Sequence, residues 1–188
     1  MPIDEIEFEC EELMEKAVDY LRQELRGVRT GRASAGLVDH LRIEVQSYGS
    51  TMGIRELASI TTPDASTILI KPFDPTTIKD IERGIQTSDV GITPMSDGKN
   101  IRLPVPLLSG ERRQQLVQQV KKMAEQQKVA VRNVRRDANK RIDADLKDKK
   151  TSEDAAESLK DRIQKLLKKS EDELDSLSNA KAKEIQEH

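Results

Sequence analysis

The sequence predicts an α+β protein, a long three-helix bundle with a small α/β module inserted between its first and second helices. Three segments have apolar residues at helical spacing, and two of them are acidic while one is basic. Between the first two segments, β-branched residues are punctuated by glycine and proline, a pattern typical of strands and turns. A bundle is the economical way to cover three such apolar stripes.

The first helix is expected from residue 3 to about residue 28, with a net charge of −6 from nine acids and three bases. Cys10 is the only cysteine, which excludes an intramolecular disulfide and a cysteine-based zinc site, and we expect a buried thiol. Glycine and small residues at 29–34 end the helix. The predicted apolar stripe is Ile6, Cys10, Leu13, Ala17, Leu21 and Val28.

The inserted module is expected to hold short strands and one short helix, and its segment 29–110 carries no net charge. Asp74 is the expected N-cap of a helix with Pro75 at its first position. The segment 96–99 has the composition of a hairpin turn. Strands are predicted at 42–46, 60–62, 67–71 and 100–103.

The second helix is predicted over residues 111–150, which contain neither proline nor glycine. At ~1.5 Å per residue it would be roughly 60 Å long, more than a compact domain of this size needs. Thirteen Lys or Arg against six acids give it a net charge of +7, although the whole chain carries only −2. The predicted stripe is Val117, Val120, Ala124, Val131, Val134, Ala138, Ile142 and Leu146.

A basic ridge beside this stripe is the candidate functional surface. At ~100° per residue its members fall within about 100° of one another on the helix. Such a stripe commonly only complements acidic neighbours, but the guanidinium fork suits phosphate oxygens, and this favours nucleic acid. A pI near 5.9 indicates one structured RNA surface rather than a promiscuous coat. The ridge consists of Lys121, Lys128, Arg132, Arg135 and Arg136.

The third helix should follow a cap at residues 151–154, and it carries a net charge of −3. We expect residues 1–30 and 106–188 to form the bundle and residues 31–105 to form the inserted domain. The two chain crossings, near 29–33 and 103–109, are expected to act as hinges. The predicted apolar stripe of the third helix is Ala156, Leu159, Ile163, Leu166, Leu167, Leu174, Leu177 and Ile185.

Catalytic chemistry has almost no candidates in this sequence. His40 and His188 are the only histidines, and the scattered glycines form neither a phosphate-binding loop nor a dinucleotide fingerprint. We therefore expect a binding or mechanical factor, not an enzyme, with no metal and no cofactor. No run of eighteen apolar residues occurs, so we expect no membrane contact and a cytoplasmic location.

Four motifs resemble the ribosome recycling factor family, with matching order and spacing over essentially the whole chain. The most characteristic is VAVRNVRRDA at 129–138. The others are RTGRAS at 29–34, SDVGI at 88–92 with Pro94, and IRLP at 101–104 leading to ERR at 111–113. The chain departs from the family pattern at Gly53-Ile54, at Leu108-Ser109-Gly110 and at Leu167-Lys168.

The resemblance implies an L-shaped, two-domain protein with a β/α/β domain inserted in a three-helix bundle. It further implies a translation factor that binds the ribosome after termination through large-subunit rRNA and acts as a monomer. With elongation factor G, which hydrolyses the GTP, members of the family split the subunits and release messenger and deacylated tRNA.

The resemblance also implies particular site residues. Arg132, Arg135, Arg29 and Arg113 match the family's rRNA-contacting arginines, and the helical geometry adds Arg136 and Lys128. The expected hinge residues are Gly31, Arg32, Pro104 and Pro106.

Two other functions make different predictions. A scaffold or chaperone that grips a protein client would oligomerise, tolerate salt and ignore RNA, and it would leave the inserted module without a purpose. The tRNA-gripping arm of a synthetase is a poor match because no catalytic domain follows.

Overall fold

The computed structural model describes residues 3–187, with side chains from Glu5 onwards, and it divides into two compact units. The boundaries between the units fall after Leu25, Leu116 and Lys183. The helices are α1 (Ile3–Arg26), α2 (Ile54–Leu57), α3 (Ile78–Gln86), α4 (Gly110–Lys147) and α5 (Glu153–Glu187). The strands are β1 (Arg42–Val45), β2 (Ser50–Gly53), β3 (Ala58–Asp64), β4 (Thr67–Pro72), β5 (Met95–Ser96) and β6 (Ile101–Pro104).

Serine side chains begin both of the long C-terminal helices. Ser109 Oγ accepts a hydrogen bond from the backbone N–H of Arg112, and Ser152 Oγ accepts one from Ala155. Each hydroxyl satisfies one N–H that the first helical turn leaves without a partner. The cap predicted at 151–154 is therefore confirmed. The start of α4 at Gly110 follows from Ser109, which the prediction of a helix from residue 111 did not use.

The three long helices form the predicted bundle, and ion pairs connect every pair of them. Arg22 of α1 contacts Glu173 of α5, Arg141 of α4 contacts Glu9 of α1, and Lys160 of α5 contacts Asp143 of α4. Val120, Val131 and Ile142 of the predicted α4 stripe are fully buried, and Val134 and Leu146 are half-buried. The prediction of a long helical bundle beside a small β domain is confirmed.

The stripe of α1 differs from the prediction at two positions. Met14 and Val18 are buried in place of Leu13 and Ala17, and Leu13 is exposed. Steps of four from Ile6 through Cys10 to Met14 keep the buried line on the bundle side. Leu13 lies about 100° away from Met14 around the helix, which turns it toward water.

The inserted module holds an antiparallel four-stranded sheet in the order β3-β4-β6-β5 and a separate hairpin of β1 with β2. The predicted strands at 42–46, 60–62, 67–71 and 100–103 correspond to β1, β3, β4 and β6. Asp74 caps the 3₁₀ turn Pro75–Thr77, which leads into α3, by accepting from the backbone N–H of Thr76. Strand β2 and helix α2 were not predicted.

The core of the module lies between α3 and the strands. Ile43, Ile70 and Ile81 are fully buried in it. Gly84 of α3 packs directly on Ile43 of β1, since a Cβ at Gly84 would overlap Ile43 Cδ1. The glycine therefore sets how closely α3 approaches the hairpin.

Candidate nucleic-acid interface

Four residues of α4 face α5 and meet a regular series of partners. Lys128 and Arg132 pair with carboxylates of α5, Arg135 with an amide, and Asp143 with a lysine. The partners descend along α5 as the residues of α4 ascend, so the two helices are antiparallel. The pairs are Lys128–Asp175, Arg132–Glu171, Arg135–Gln164 and Asp143–Lys160.

Arg132 is held by two carboxylates and remains open to solvent. Its Nε donates to Glu171 Oε1 at 2.6 Å and its Nη1 to Glu125 Oε1 at 3.0 Å. Glu171 first, and then Glu125, raises the pKa of the Arg132 guanidinium above its ordinary value. The side chain is still 41% exposed, and a guanidinium has five N–H donors. Three of them are left for an outside acceptor.

Arg135 lies one turn further along the helix and is half-buried. Its Nη1 donates to Gln164 Oε1 at 3.0 Å, while its buried Nε has no hydrogen-bond partner among the described residues. A buried donor without an acceptor is unusual and needs an explanation, and an acceptor from outside the protein is one. Arg135 thus keeps most of its donors unengaged by the protein.

Arg136 and Lys128 differ in solvent exposure. Arg136 is exposed and makes no hydrogen bond or ion pair with any described residue. Lys128 pairs with Asp175 at 2.6 Å, and its side chain is only 17% exposed. Lys121 is exposed. Within the ridge, Lys121 and Arg136 are therefore exposed, whereas the Lys128 ammonium group is held by Asp175.

The other two predicted arginines lie in the compact unit that contains residues 26–116, near the start of α4. Arg29 is half-buried, and its Nη2 donates to the carbonyl of Pro106 at 2.9 Å. Burial, and then the nearby charge of Arg112, lowers the pKa of the Arg29 guanidinium. Arg113 is half-buried, and its backbone N–H donates to the carbonyl of Ser109. The effect of Arg112 on the pKa of Arg29 shows that these two positive charges lie near each other.

The predicted hinge residues differ in burial and in backbone contacts. Gly31 is buried and has a φ of 84°, a conformation that favours glycine. Arg32 is exposed. Pro104 is the last residue of β6 and is paired with Thr67 of β4, and the Pro106 carbonyl accepts the bond from Arg29.

The acceptors on α5 were not predicted. The ridge was expected to meet acidic neighbours, but which ones depends on the register of two packed helices. Gln164, Glu171 and Asp175 are seven and four residues apart, so they lie on one face of α5. That spacing could have predicted that these three residues share the face of α5 that meets the ridge. Asn139 of α4, half-buried with an unpartnered Oδ1, was also missed.

The described residues show no grouping of three or more His, Cys, Asp or Glu that could hold a metal ion. His40 is exposed, with Nε2 at 3.4 Å from Asp89 Oδ1, and His188 lies outside the described residues. Cys10 is buried as expected, and burial raises the pKa of its thiol. None of the helices within residues 3–187 is long and apolar enough to cross a membrane.

The fold and this interface define an α+β protein whose three-helix bundle presents an arginine-rich helix face to solvent. A family model described as "Ribosome recycling factor" matches residues 21–185. The ribosome-recycling factor of Symbiobacterium thermophilum is 48% identical over 183 residues, which are 97% of this chain and 98% of that protein. The one from Rhodopirellula baltica is 54% identical over 140 residues, 74% of each chain.

Solved structures agree with the sequence relatives. The solution structure of a ribosome recycling factor matches with a TM-score of 0.82 and 37% identity, covering 100% of this chain and 99% of that one. A second structure is described as models for the T. thermophilus ribosome recycling factor and the E. coli elongation factor G bound to the E. coli post-termination complex. It matches with a TM-score of 0.69 and 34% identity over 98% of this chain and 99% of that one. The chain belongs to the ribosome recycling factor family.

Proposed function

We propose that this protein binds the post-termination ribosome through large-subunit rRNA and, together with elongation factor G, splits the subunits. Messenger and deacylated tRNA are released as a result. GTP is hydrolysed by the elongation factor, so the protein needs no cofactor and is not itself an enzyme. The proposal is supported by the family membership and by the relative described with elongation factor G on the post-termination complex.

The rRNA contacts are proposed to come from the ridge on α4. Arg135 carries this assignment, because within residues 5–187 its buried Nε has no acceptor and its Nη2 makes no hydrogen bond. Arg136 adds an exposed guanidinium, and Arg132 keeps three free donors. Lys128 contributes mainly positive charge, since Asp175 already holds its ammonium group. Phosphate oxygens are the acceptors that such forked donors suit best.

A second group of contacts is assigned to Arg29 and Arg113 near the start of α4. Arg29 is held close to the like charge of Arg112, which an anion would relieve. A phosphate bound there would neutralise two neighbouring cations. This assignment follows the family's pattern and is independent of the ridge.

The remaining features of the proposal concern mechanics. It includes the domain limits at 1–30 with 106–188 and at 31–105, and hinge motion at Gly31, Arg32, Pro104 and Pro106. The protein is proposed to act as a cytoplasmic monomer. Rotation at the hinges would let the inserted domain transmit a push from the elongation factor to the ribosome.

The test is sedimentation of ribosomes with the purified protein at two salt concentrations. Phosphate contacts predict that binding weakens steeply as salt rises. Arg135→Ala should weaken binding several-fold without unfolding the protein. Arg141→Ala is the matched control, because Arg141 is on the same helix but pairs with Glu9 on the α1 side. Wild-type binding by Arg135→Ala would overturn the assignment of the ridge.

Subunit splitting tests the function itself. Post-termination ribosomes should separate when the protein, elongation factor G and GTP are all present, and light scattering follows the separation. Omitting any one of the three should abolish the splitting. Binding that survives high salt, together with no splitting, would instead favour a scaffold for a protein client.

A further inference from the structure

All four aromatic residues of the chain lie on the surface. Phe8 and Tyr20 of α1 are 69% and 53% exposed, and Tyr48 and Phe73 of the inserted module are 48% and 68% exposed. Aromatic rings usually supply core packing, and exposed ones are enriched at protein interfaces. The core here is built from aliphatic side chains instead, so the aromatic residues do something else.

Tyr48 and Phe73 belong to two loops that a hydrogen bond ties together. The Tyr48 hydroxyl, in the turn after β1, donates to Asp74 Oδ2 at 2.6 Å, and Asp74 directly follows Phe73. The backbone N–H of Phe73 donates to the Leu57 carbonyl at 2.9 Å. Both aromatic residues are therefore exposed yet attached to a fixed backbone, which limits the entropy lost when a partner binds.

A second hydrogen bond holds the same turn on α3. The backbone N–H of Gln46 donates to Oδ2 of Asp80, a buried carboxylate in the first turn of that helix. Hydrogen bonds thus attach the turn after β1 both to α3 and to the loop that precedes α3. The hydrogen bond from Gln46 anchors the backbone two residues before Tyr48.

Asp74 supplies a carboxylate that contacts Tyr48 and directly follows Phe73 in the chain. It accepts hydrogen bonds from the Tyr48 hydroxyl, the Thr76 backbone N–H and the Thr76 hydroxyl. These bonds, with that from Tyr48 the largest, lower the pKa of Asp74, so the carboxylate is ionised at neutral pH. A carboxylate has about four acceptor sites, and three are occupied. One remains for a donor from outside.

The charges within the two loops favour a cation over a phosphate as the ligand. Residues 46–50 and 72–77 contain Asp74 and no lysine or arginine. Lys71 precedes them, but one lysine does not form the positive groove that single-stranded nucleic acid needs beside stacking rings. Phosphate would also be repelled by the fixed Asp74 carboxylate. A guanidinium, in contrast, stacks on aromatic faces and donates to carboxylates.

We propose that Tyr48, Phe73 and Asp74 form a docking site for an arginine side chain presented by a protein partner. The guanidinium stacks against the aromatic surface while donating a hydrogen bond to Asp74. This surface is separate from the arginine ridge on α4 and has the opposite preference for charge. The inference does not depend on the proposed rRNA contacts and is tested without ribosomes.

The experiment is an NMR titration of the full chain with a capped Gly-Arg-Gly peptide. With two Phe, two Tyr and no Trp, the aromatic spectrum contains four rings to assign. The Phe73 and Tyr48 signals should shift saturably, and the Phe8 and Tyr20 signals should stay in place. The matched probes are Gly-citrulline-Gly, which keeps the shape without the charge, and uridine monophosphate. Neither should shift the Phe73 ring.

Phe73→Ala should weaken peptide binding about fivefold or more, as the loss of an aromatic anchor does. Phe8→Ala is the matched control, because Phe8 is equally exposed and lies on the acidic helix α1. Equal shifts at Phe8 and Phe73 would mean non-specific attraction to acidic residues and would overturn the proposal. A response to uridine monophosphate without one to the arginine peptide would identify a nucleic-acid surface instead and would also overturn it.

Discussion

Arg132 of α4 and Glu171 of α5 are joined by a hydrogen bond of 2.6 Å from Nε to Oε1, on the face assigned to rRNA. The same guanidinium also donates to Glu125. These carboxylates fix the direction of the side chain, and they also compete with phosphate for its positive charge. The ridge is thus partly neutralised by its own protein.

Glu171→Gln should strengthen ribosome binding several-fold. The amide oxygen can still accept a hydrogen bond from Arg132, but the competing negative charge is gone. The dependence of binding on salt should steepen, since the face gains a net positive charge. Sedimentation with ribosomes over a salt series measures both effects.

Glu173→Gln is the control for that experiment. Glu173 is on the same helix, and its substitution changes the net charge equally, but it pairs with Arg22 of α1. Its ribosome binding should stay close to that of the wild type. Equal gains for both variants would show that total charge matters and that the Arg132 pair does not.

Much of this fold could be predicted because its signals are local. The caps at Asp74 and Ser152 need only residues within one turn, and the long stripes need only helical periodicity. Strand β2 was missed because the pair of Thr51 and Met52 shows too little alternation to mark a strand. Leu13 was wrongly assigned to the buried stripe because Leu13 and Met14 lie three and four residues after Cys10, and both steps fit a helical stripe.

The site was predictable only in part for a different reason. The arginines of α4 were apparent from one helix, and Arg136 is as exposed as the periodicity suggests. Which carboxylates neutralise Arg132 and Lys128 depends on the register between α4 and α5. A register is set by packing over the whole length of both helices, so it is not encoded near either residue.

Gly84→Ala should destabilise the inserted module by about 1–2 kcal/mol. Overpacking a core costs roughly 1–3 kcal/mol, and the better helix propensity of alanine returns at most about 1 kcal/mol. The new Cβ would overlap Cδ1 of Ile43, which is fully buried and would have to shift within the core. Urea unfolding monitored by circular dichroism gives the free energy of unfolding.

A double-mutant cycle isolates that contact. Ile43→Val removes Cδ1 and alone should cost about 0.5–1.5 kcal/mol, but it should cost less in the Gly84→Ala background. Gly110→Ala, where nothing lies within 4 Å of the added Cβ, should not destabilise the protein. Additive effects of the two core substitutions would contradict the proposed overlap.

Asp97→Asn should make the protein less sensitive to acid. Asp97 Oδ1 accepts from the backbone N–H groups of Asn100 and Lys99, at 2.7 and 2.9 Å, and these bonds lower the pKa of its carboxyl group. A lowered native pKa stabilises the fold above the unfolded value of about 3.9, and the contribution disappears as pH falls through the native pKa. Asparagine keeps the acceptor without the titration.

The measurement is the melting temperature of both proteins between pH 6 and about pH 2.5, a range that spans the titration of aspartates. On acidification the melting temperature of the wild type should fall further than that of Asp97→Asn. At pH 6 the wild type should have the higher melting temperature. Parallel curves over the whole range would mean that the Asp97 hydrogen bonds contribute nothing to acid sensitivity.

Lys149→Gly should stabilise the C-terminal end of α4. Lys149 has a φ of 57°, and no other non-glycine residue of the described chain has a positive φ. Its N–H donates to the Leu146 carbonyl and that of Lys150 to the Asp145 carbonyl, the pattern of a Schellman motif with lysine where glycine is preferred. Relief of the left-handed strain, less the extra entropy of glycine, should raise the free energy of unfolding by about 0.5–1 kcal/mol.

Lys147→Gly provides the comparison, because Lys147 is the last residue of α4 and has no positive φ. The same change of side chain should there destabilise the protein by up to about 1 kcal/mol, the usual helix penalty of glycine. Chemical denaturation of both variants and the wild type measures the difference. Opposite signs at two positions only two residues apart would locate the effect in the backbone conformation, whereas equal signs would assign it to the loss of lysine charge.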